Sequence, residues 1–285
     1  MPPLTAPADE IAALAHGRAA VDLSGYRTVQ VTGPDARRWL GDLVTTDVAS
    51  LRPGQARRSL LLDPTGHIRA DLQVACADDG FWLFQAPDAG DDIGAALARY
   101  VLSSDVELQD RTAQRRLFAL PGAGEAPEGF APSITGQGVD MLLDAGSSPP
   151  PGRVLVGPDA AEVWRIRTGR ARMGVDFDQT SIPAEAALDA TIDAAKGCFL
   201  GQESVARVRN LGHPPRVLMH LRCEESVEAG ASVVTADGAE AGAITSAAVD
   251  DRAGIVVLGS IRWRARSGPL LTASGVRLVT VGSSD

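Results

Sequence analysis

Lys196-Gly197-Cys198-Phe199-Leu200-Gly201-Gln202-Glu203 sets a cysteine beside a cation, between two glycines and just ahead of a helix-forming stretch. A thiol reacts as its thiolate, which a neighbouring Lys, exposure and the positive end of a helix all favour. Lys196 is the candidate for that charge. Gly197 and Gly201 permit backbone angles closed to other residues, so the loop can turn tightly and present Cys198 outward. The stretch 202–210 then has the composition of a short helix. Glu203 stands in its first turn, Arg207 and Arg209 in its last, and Gly212 with Pro214 and Pro215 ends it. The opposing possibility is that Cys198 is a small buried hydrophobe, as lone cysteines often are. The residues alone leave both open and name no reaction.

Beyond Pro215 the pattern changes to short apolar runs at 217–221, 232–235, 242–246, 255–261, 270–272 and 277–281, separated by Gly-rich turns. Six short strands at this spacing predict a small barrel or sandwich. Upstream, 29–32 alternates in strand fashion, and 34–43 places Ala36, Trp39, Leu40 and Leu43 at helical spacing. Residues 59–62, the turn Asp63-Pro64-Thr65-Gly66 and 68–75 predict a hairpin; 81–85 predicts a strand and 91–100 a helix. This mixture predicts an α+β unit over 1–110 and a second over 111–215, whose pattern begins near 106–107 and 116–120, with the barrel over 216–285. The run 146–152, Gly-Ser-Ser-Pro-Pro-Pro-Gly, is a surface loop within the second unit.

At 285 residues the chain can hold two or three domains, and 45 % hydrophobic with 22 % charged residues is an ordinary globular balance. A formal charge of −9 argues against a general nucleic-acid binder, which needs a concentrated basic face. Local basic clusters stand at 57–58, 115–116, 165–172 and 262–266; most such clusters are solvated or pair with carboxylates, and a few mark an anionic ligand. Cys76, Cys198 and Cys223 are odd in number and widely spaced, which implies a reducing compartment rather than a disulfide framework. His16, His67, His213 and His220 are scattered, so no tightly bound metal is expected. The N-terminus lacks signal-peptide features and no apolar run reaches spanning length, which predicts a cytoplasmic protein with no membrane contact.

The stretch 196–203 resembles the K-G-C-[FY]-x-G-Q-E signature of the YgfZ family of folate-binding proteins, relatives of the aminomethyltransferase (T-protein) of glycine cleavage. Val205-Ala206-Arg207 and Gly212 continue the likeness. Gln30 to Ala36, Thr45 to Val48, Gly54-Gln55, the Pro64 to Leu72 hairpin, Arg167 to Gly174 with Pro183, and Gly242 to Ser246 resemble the family's other motifs in order. The resemblance implies a ring of two related α+β units and a terminal β-barrel around a folate pocket. It implies tetrahydrofolate or a one-carbon derivative as ligand, and Cys198 as the essential thiol within Lys196, Gly197, Gly201, Gln202, Glu203 and Arg207. By matching, Tyr26 is a candidate to stack on the ligand. Asp71 stands where the T-protein carries one of an Asp pair, here preceded by Ala70. Asp140 stands near where T-proteins carry a folate-binding Glu, and Arg167 is a candidate to meet a carboxylate.

Two functions follow. The first, implied by the cysteine motif, is a folate-binding accessory protein for assembly or repair of iron–sulfur clusters, whose partners are the client or assembly proteins. The thiolate could attack, ligate iron transiently or exchange disulfides. The second is a folate-dependent aminomethyl or one-carbon transferase, which needs a carboxylate near the folate nitrogen and does not need Cys198.

Overall fold

The computed structural model describes residues 1–102, 104–124, 129–250 and 254–282. The predicted hairpin forms as Ala56–Leu62 and Ile68–Ala77 and seeds an antiparallel sheet. Its strand order is Ala56–Leu62, Ile68–Ala77, Gly80–Gln85, Arg27–Thr32 and Glu107–Asp110. Helix α1 (Ala8–Ala15) precedes this sheet, while α2 (Ala36–Leu43) and α3 (Ile93–Ala98) lie in it between strands. Helix α2 buries Ala36, Trp39, Leu40 and Leu43, the four positions at helical spacing. They pack with Leu97 of α3 against Val29, Val31, Leu72 and Leu83 on one face of the sheet. Burying a Leu- or Val-sized side chain contributes roughly 1.5–3 kcal/mol, so this face carries much of the unit's stability.

The opposite face presents Ala56, Ala75, Trp82 and Phe84 to a second sheet, meeting Val21, Leu117 and Phe130. That sheet runs Val154–Val156, Ala19–Asp22, Arg115–Leu120, Val139–Asp144 and Gly129–Phe130. Ala19–Asp22 pairs in parallel with Val154–Val156, so a strand on the early side of residue 110 lies in the later sheet. Conversely, residue 107, read as the start of the second unit, begins the edge strand Glu107–Asp110 of the first. Local periodicity specifies a strand but not a partner more than a hundred residues away.

Helix α4 (Pro158–Arg167) starts on a proline at its first position and buries Ala160, Val163 and Ile166. Val163 and Ile166 rest on Ala248 and Val256 of the C-terminal unit. That unit is a closed barrel in the order Arg216–Cys223, Gly254–Arg262, Glu240–Asp250, Ser232–Thr235, Leu270–Thr272 and Arg277–Thr280. Closure pairs every edge, which removes unpaired strand groups. All six predicted strands are present. Helix α5 (Gln202–Leu211) links the second unit to the barrel.

A buried polar knot ties α4 to the barrel. The side chain of Asp176 is 0 % exposed and accepts from Arg165 Nη1 at 2.6 Å, Thr245 Oγ1 at 2.5 Å and Ser246 Oγ at 2.6 Å. Arg165 also donates to Ser246 Oγ and to Glu162, both at 2.8 Å. A buried charge is tolerated only when paired and fully hydrogen-bonded, and Asp176, which also accepts from the Arg172 amide at 3.0 Å, satisfies this with partners from three segments.

Candidate functional site

A cavity of about 280 Å³ opens between the two sheets, α4 and the segment 170–173. Small-molecule sites run from roughly 300 Å³ upward, so the space suits a compact ligand with part of it projecting out. Two aromatic side chains, Tyr26 and Trp164, stand in its wall together with Leu23, Pro87 and Met173. Burial pushes the Tyr26 phenol up from its ordinary value, so it is a neutral hydroxyl.

The polar lining is four carboxylates and four arginines. Arg58 faces Gln73 across the hairpin, which makes Asp71 its diagonal neighbour on the same face. Arg58 grips Asp71 bidentately, Nε to Oδ1 at 2.8 Å and Nη2 to Oδ2 at 2.5 Å. Asp22 is held by Arg116 at 2.7 Å, Asp88 by Arg172 at 2.5 Å, and Glu162 by Arg165 at 2.8 Å and Arg172 at 3.4 Å. Every carboxylate in this lining is therefore paired. Arg170 is the exception among the arginines: within the described residues no acceptor meets its guanidinium. Burial, then the neighbouring Arg58, pulls Arg170 down to about 10, which leaves it cationic at neutral pH.

Tyr26 and Asp71 thus lie together in the cavity wall. Asp140 lies behind it, 0 % exposed, accepting from Ser133 Oγ and from Ile134 N, both at 2.6 Å. It shapes the loop whose Ile134 and Thr135 line the cavity. Arg167 does not reach the cavity; its guanidinium lies 5.8 Å from the Trp164 ring centroid. Trp164, Arg58, Arg165, Arg170 and Arg172 escaped residue-level assignment, although the basic clusters 57–58 and 165–172 carried the signal for the four arginines.

Burial raises Asp140 to about 7, against hydrogen bonds from Ser133 and Ile134 that lower it. A carboxyl raised on folding stabilises the fold while protonated. Its contribution is complete below the unfolded value of 3.8 and is lost as pH rises through about 7. In urea unfolding, the stability of wild type relative to Asp140→Asn will fall as pH is raised from about 5 to about 8. A difference that does not change with pH contradicts this.

The cysteine motif is built on the outside of the first unit. Lys196 turns its ammonium onto the end of α2, donating to the carbonyls of Gly41 at 2.6 Å and Thr46 at 3.0 Å and also to that of Val44. Three acceptors match the three protons of an ammonium and sit at the negative end of the helix dipole. Burial pulls Lys196 down to about 8, while Asp47, Asp42 and Asp193 act against this. The lysine thereby clamps the loop to α2, and its donors are taken up there. Gly201, at φ +83°, caps α5, and a Cβ on it would stand 2.6 Å from the carbonyl oxygen of Asp63. Only glycine meets both demands. Gly197 corrects the sequence expectation: its φ is not positive and nothing lies within 4 Å of a Cβ placed on it.

Cys198 is exposed, whereas Cys76 and Cys223 are buried, and all three are free thiols. Gln202 and Glu203 open α5, with Glu203 exposed in its first turn. Arg207 lines a second cavity, of about 510 Å³, between α5, residues 182–192 and Trp263. No residue of 196–203 lines the central cavity. Among the described residues, no cluster of three or more His, Cys, Asp or Glu is placed to hold a metal ion, and no helix is long and apolar enough to cross a membrane.

Two five-stranded sheets enclosing an arginine-rich cavity, with a closed six-stranded barrel packed against α4, define an aminomethyltransferase-like fold. The glycine cleavage system aminomethyltransferase T of Bartonella henselae superposes with a TM-score of 0.81, covering 99 % of this chain and 91 % of that one at 22 % identity. Residues 4–126 match the family model of the GCVT N-terminal domain. In sequence the chain is 26 % identical over 268 residues to a chloroplastic protein of Arabidopsis thaliana classed with the transferases, spanning 81 % of this chain but only 62 % of the plant protein. An uncharacterised protein of Haemophilus influenzae is 26 % identical over 80 % of this chain and 83 % of its own length. The aminomethyltransferase of Herpetosiphon aurantiacus is 25 % identical over 93 % of this chain and 86 % of its own.

Proposed function

We infer that this chain binds a reduced folate in the central cavity and serves assembly or repair of iron–sulfur clusters in client proteins through the Cys198 thiol. The observation that carries this reading is a separation. An exposed thiol sits on a loop fixed by Lys196 and Gly201, apart from a cavity whose carboxylates are all paired. Three free cysteines suit a reducing, cytoplasmic setting.

The cavity fits a folate in chemistry: aromatic flanks for a flat ring and arginine-held carboxylates whose spare lone pairs can accept from an amino-pyrimidine edge. A reduced folate would supply a carrier for a one-carbon unit, held at N5 of the pterin, at N10 of the aminobenzoyl group or between the two. Tyr26 and Trp164 would orient the ring, and Arg58 would hold Asp71 in the wall. Arg58 engages both oxygens of Asp71, which fixes the carboxylate in the wall and leaves it one spare lone pair per oxygen, suited to accepting from a ring N–H. The thiol acts at the surface, where a client protein can reach it.

The likeness to aminomethyltransferases favours transfer chemistry as the second reading, with Asp71 as its carboxylate. An assay of methylenetetrahydrofolate formation from an aminomethyl-lipoyl donor separates the two. We expect reduced folate to bind with no turnover; turnover that Asp71→Asn removes would establish the transferase.

A further inference from the structure

Arg58, Arg165 and Arg172 each hold a carboxylate in the cavity wall, and Arg170 holds none. Its backbone is fixed. Gly169, at φ +68°, turns the chain out of α4, the Arg170 amide donates to the Arg165 carbonyl at 3.0 Å, and the Arg170 carbonyl accepts from Arg165 Nη1 at 2.5 Å. The Arg170 backbone is therefore held by the same arginine that anchors α4 to the barrel, and its side chain lines the cavity. The acids nearest in charge, Asp71 and Asp140, are bonded to Arg58 and to Ser133 with Ile134. A half-buried cation stripped of part of its water and given no internal acceptor is the arrangement an anionic ligand completes.

We propose that Arg170 is the anion subsite of the central cavity and receives a carboxylate of the bound ligand through its planar fork of donors. The inference rests on the folate reading, under which that carboxylate belongs to the glutamate tail, and it makes the ligand class an acidic pterin rather than a bare one.

Titration calorimetry on the full chain tests this with three probes. These are 5-formyltetrahydrofolate, 6-methyltetrahydropterin, which lacks the benzoylglutamate, and 4-aminobenzoylglutamate, which lacks the pterin. Arg170→Gln is expected to weaken 5-formyltetrahydrofolate by roughly tenfold or more, to leave 6-methyltetrahydropterin unchanged and to remove 4-aminobenzoylglutamate binding. Arg170→Lys should recover part of the loss. Equal weakening of the two pterin probes, or of neither, overturns the assignment. If wild type binds neither pterin probe, the folate reading fails by itself and 4-aminobenzoylglutamate decides: binding that Arg170→Gln removes sustains the subsite, and no binding to wild type overturns it. Should Arg170→Gln not fold, salt takes its place. Added salt should then weaken wild-type binding of 5-formyltetrahydrofolate and spare 6-methyltetrahydropterin, and an equal response of both overturns the proposal.

Discussion

Arg165→Ala will destabilise the protein by about 3–5 kcal/mol, because it leaves a fully buried carboxylate without its counter-charge. Asp176 would keep Thr245, Ser246 and the Arg172 amide as donors but no cation in contact. Glu162 would lose its bidentate partner at the cavity edge, and the contact of α4 with Ser246 would go. Arg165→Lys should recover only part, since one ammonium cannot reproduce a fork that reaches Glu162, Asp176, Ser246 and the Arg170 carbonyl together. Urea unfolding measures both variants. A loss within about 1 kcal/mol for Arg165→Ala would mean that water replaces the arginine and that the knot is not what holds α4 to the barrel.

The second large effect is chemical. Cys198 is exposed, while Cys76 is 0 % and Cys223 is 4 % accessible, so the last two require an opening of the fold before they react. Burial also pushes the Cys223 thiol up, with Glu225 adding to it, which lowers its thiolate fraction further. Iodoacetamide should therefore label Cys198 about a hundredfold faster than either in the native protein, with the three rates converging in denaturant. Peptide mass spectrometry reads the rates separately. Equal or slower native labelling of Cys198 would return it to a structural role.

What was legible in the sequence was local. The hairpin around Pro64-Thr65-Gly66, the α2 stripe and the six barrel strands are written in turn residues and in periods of two and 3.6. The parallel pairing of Ala19–Asp22 with Val154–Val156 is a long-range choice with no local signature. Helix α4 escaped because its buried residues, Ala160, Val163 and Ile166, are interleaved with Glu162 and Arg165, charges that serve the cavity and the barrel.

The site divides in the same way. The resemblance led to Tyr26 and Asp71, which share the cavity, and to Asp140 just behind it. It led to Arg167, but residues two apart on a helix lie about 200° apart around its axis, so Arg165 faces the cavity and Arg167 does not. Lys196 read as an activating neighbour of the thiol because the two are close in sequence. Its side chain instead meets the end of α2, more than 150 residues earlier in the chain. Of the two motif glycines, only Gly201 has a close approach to make.

The central claim is that the exposed thiol maintains iron–sulfur clusters. Its most direct test is the activity of a cluster-dependent enzyme in cells lacking this gene, complemented with wild type or Cys198→Ala at matched protein levels. We predict that wild type restores activity and Cys198→Ala does not; restoration by both would remove the thiol from the mechanism and contradict the account.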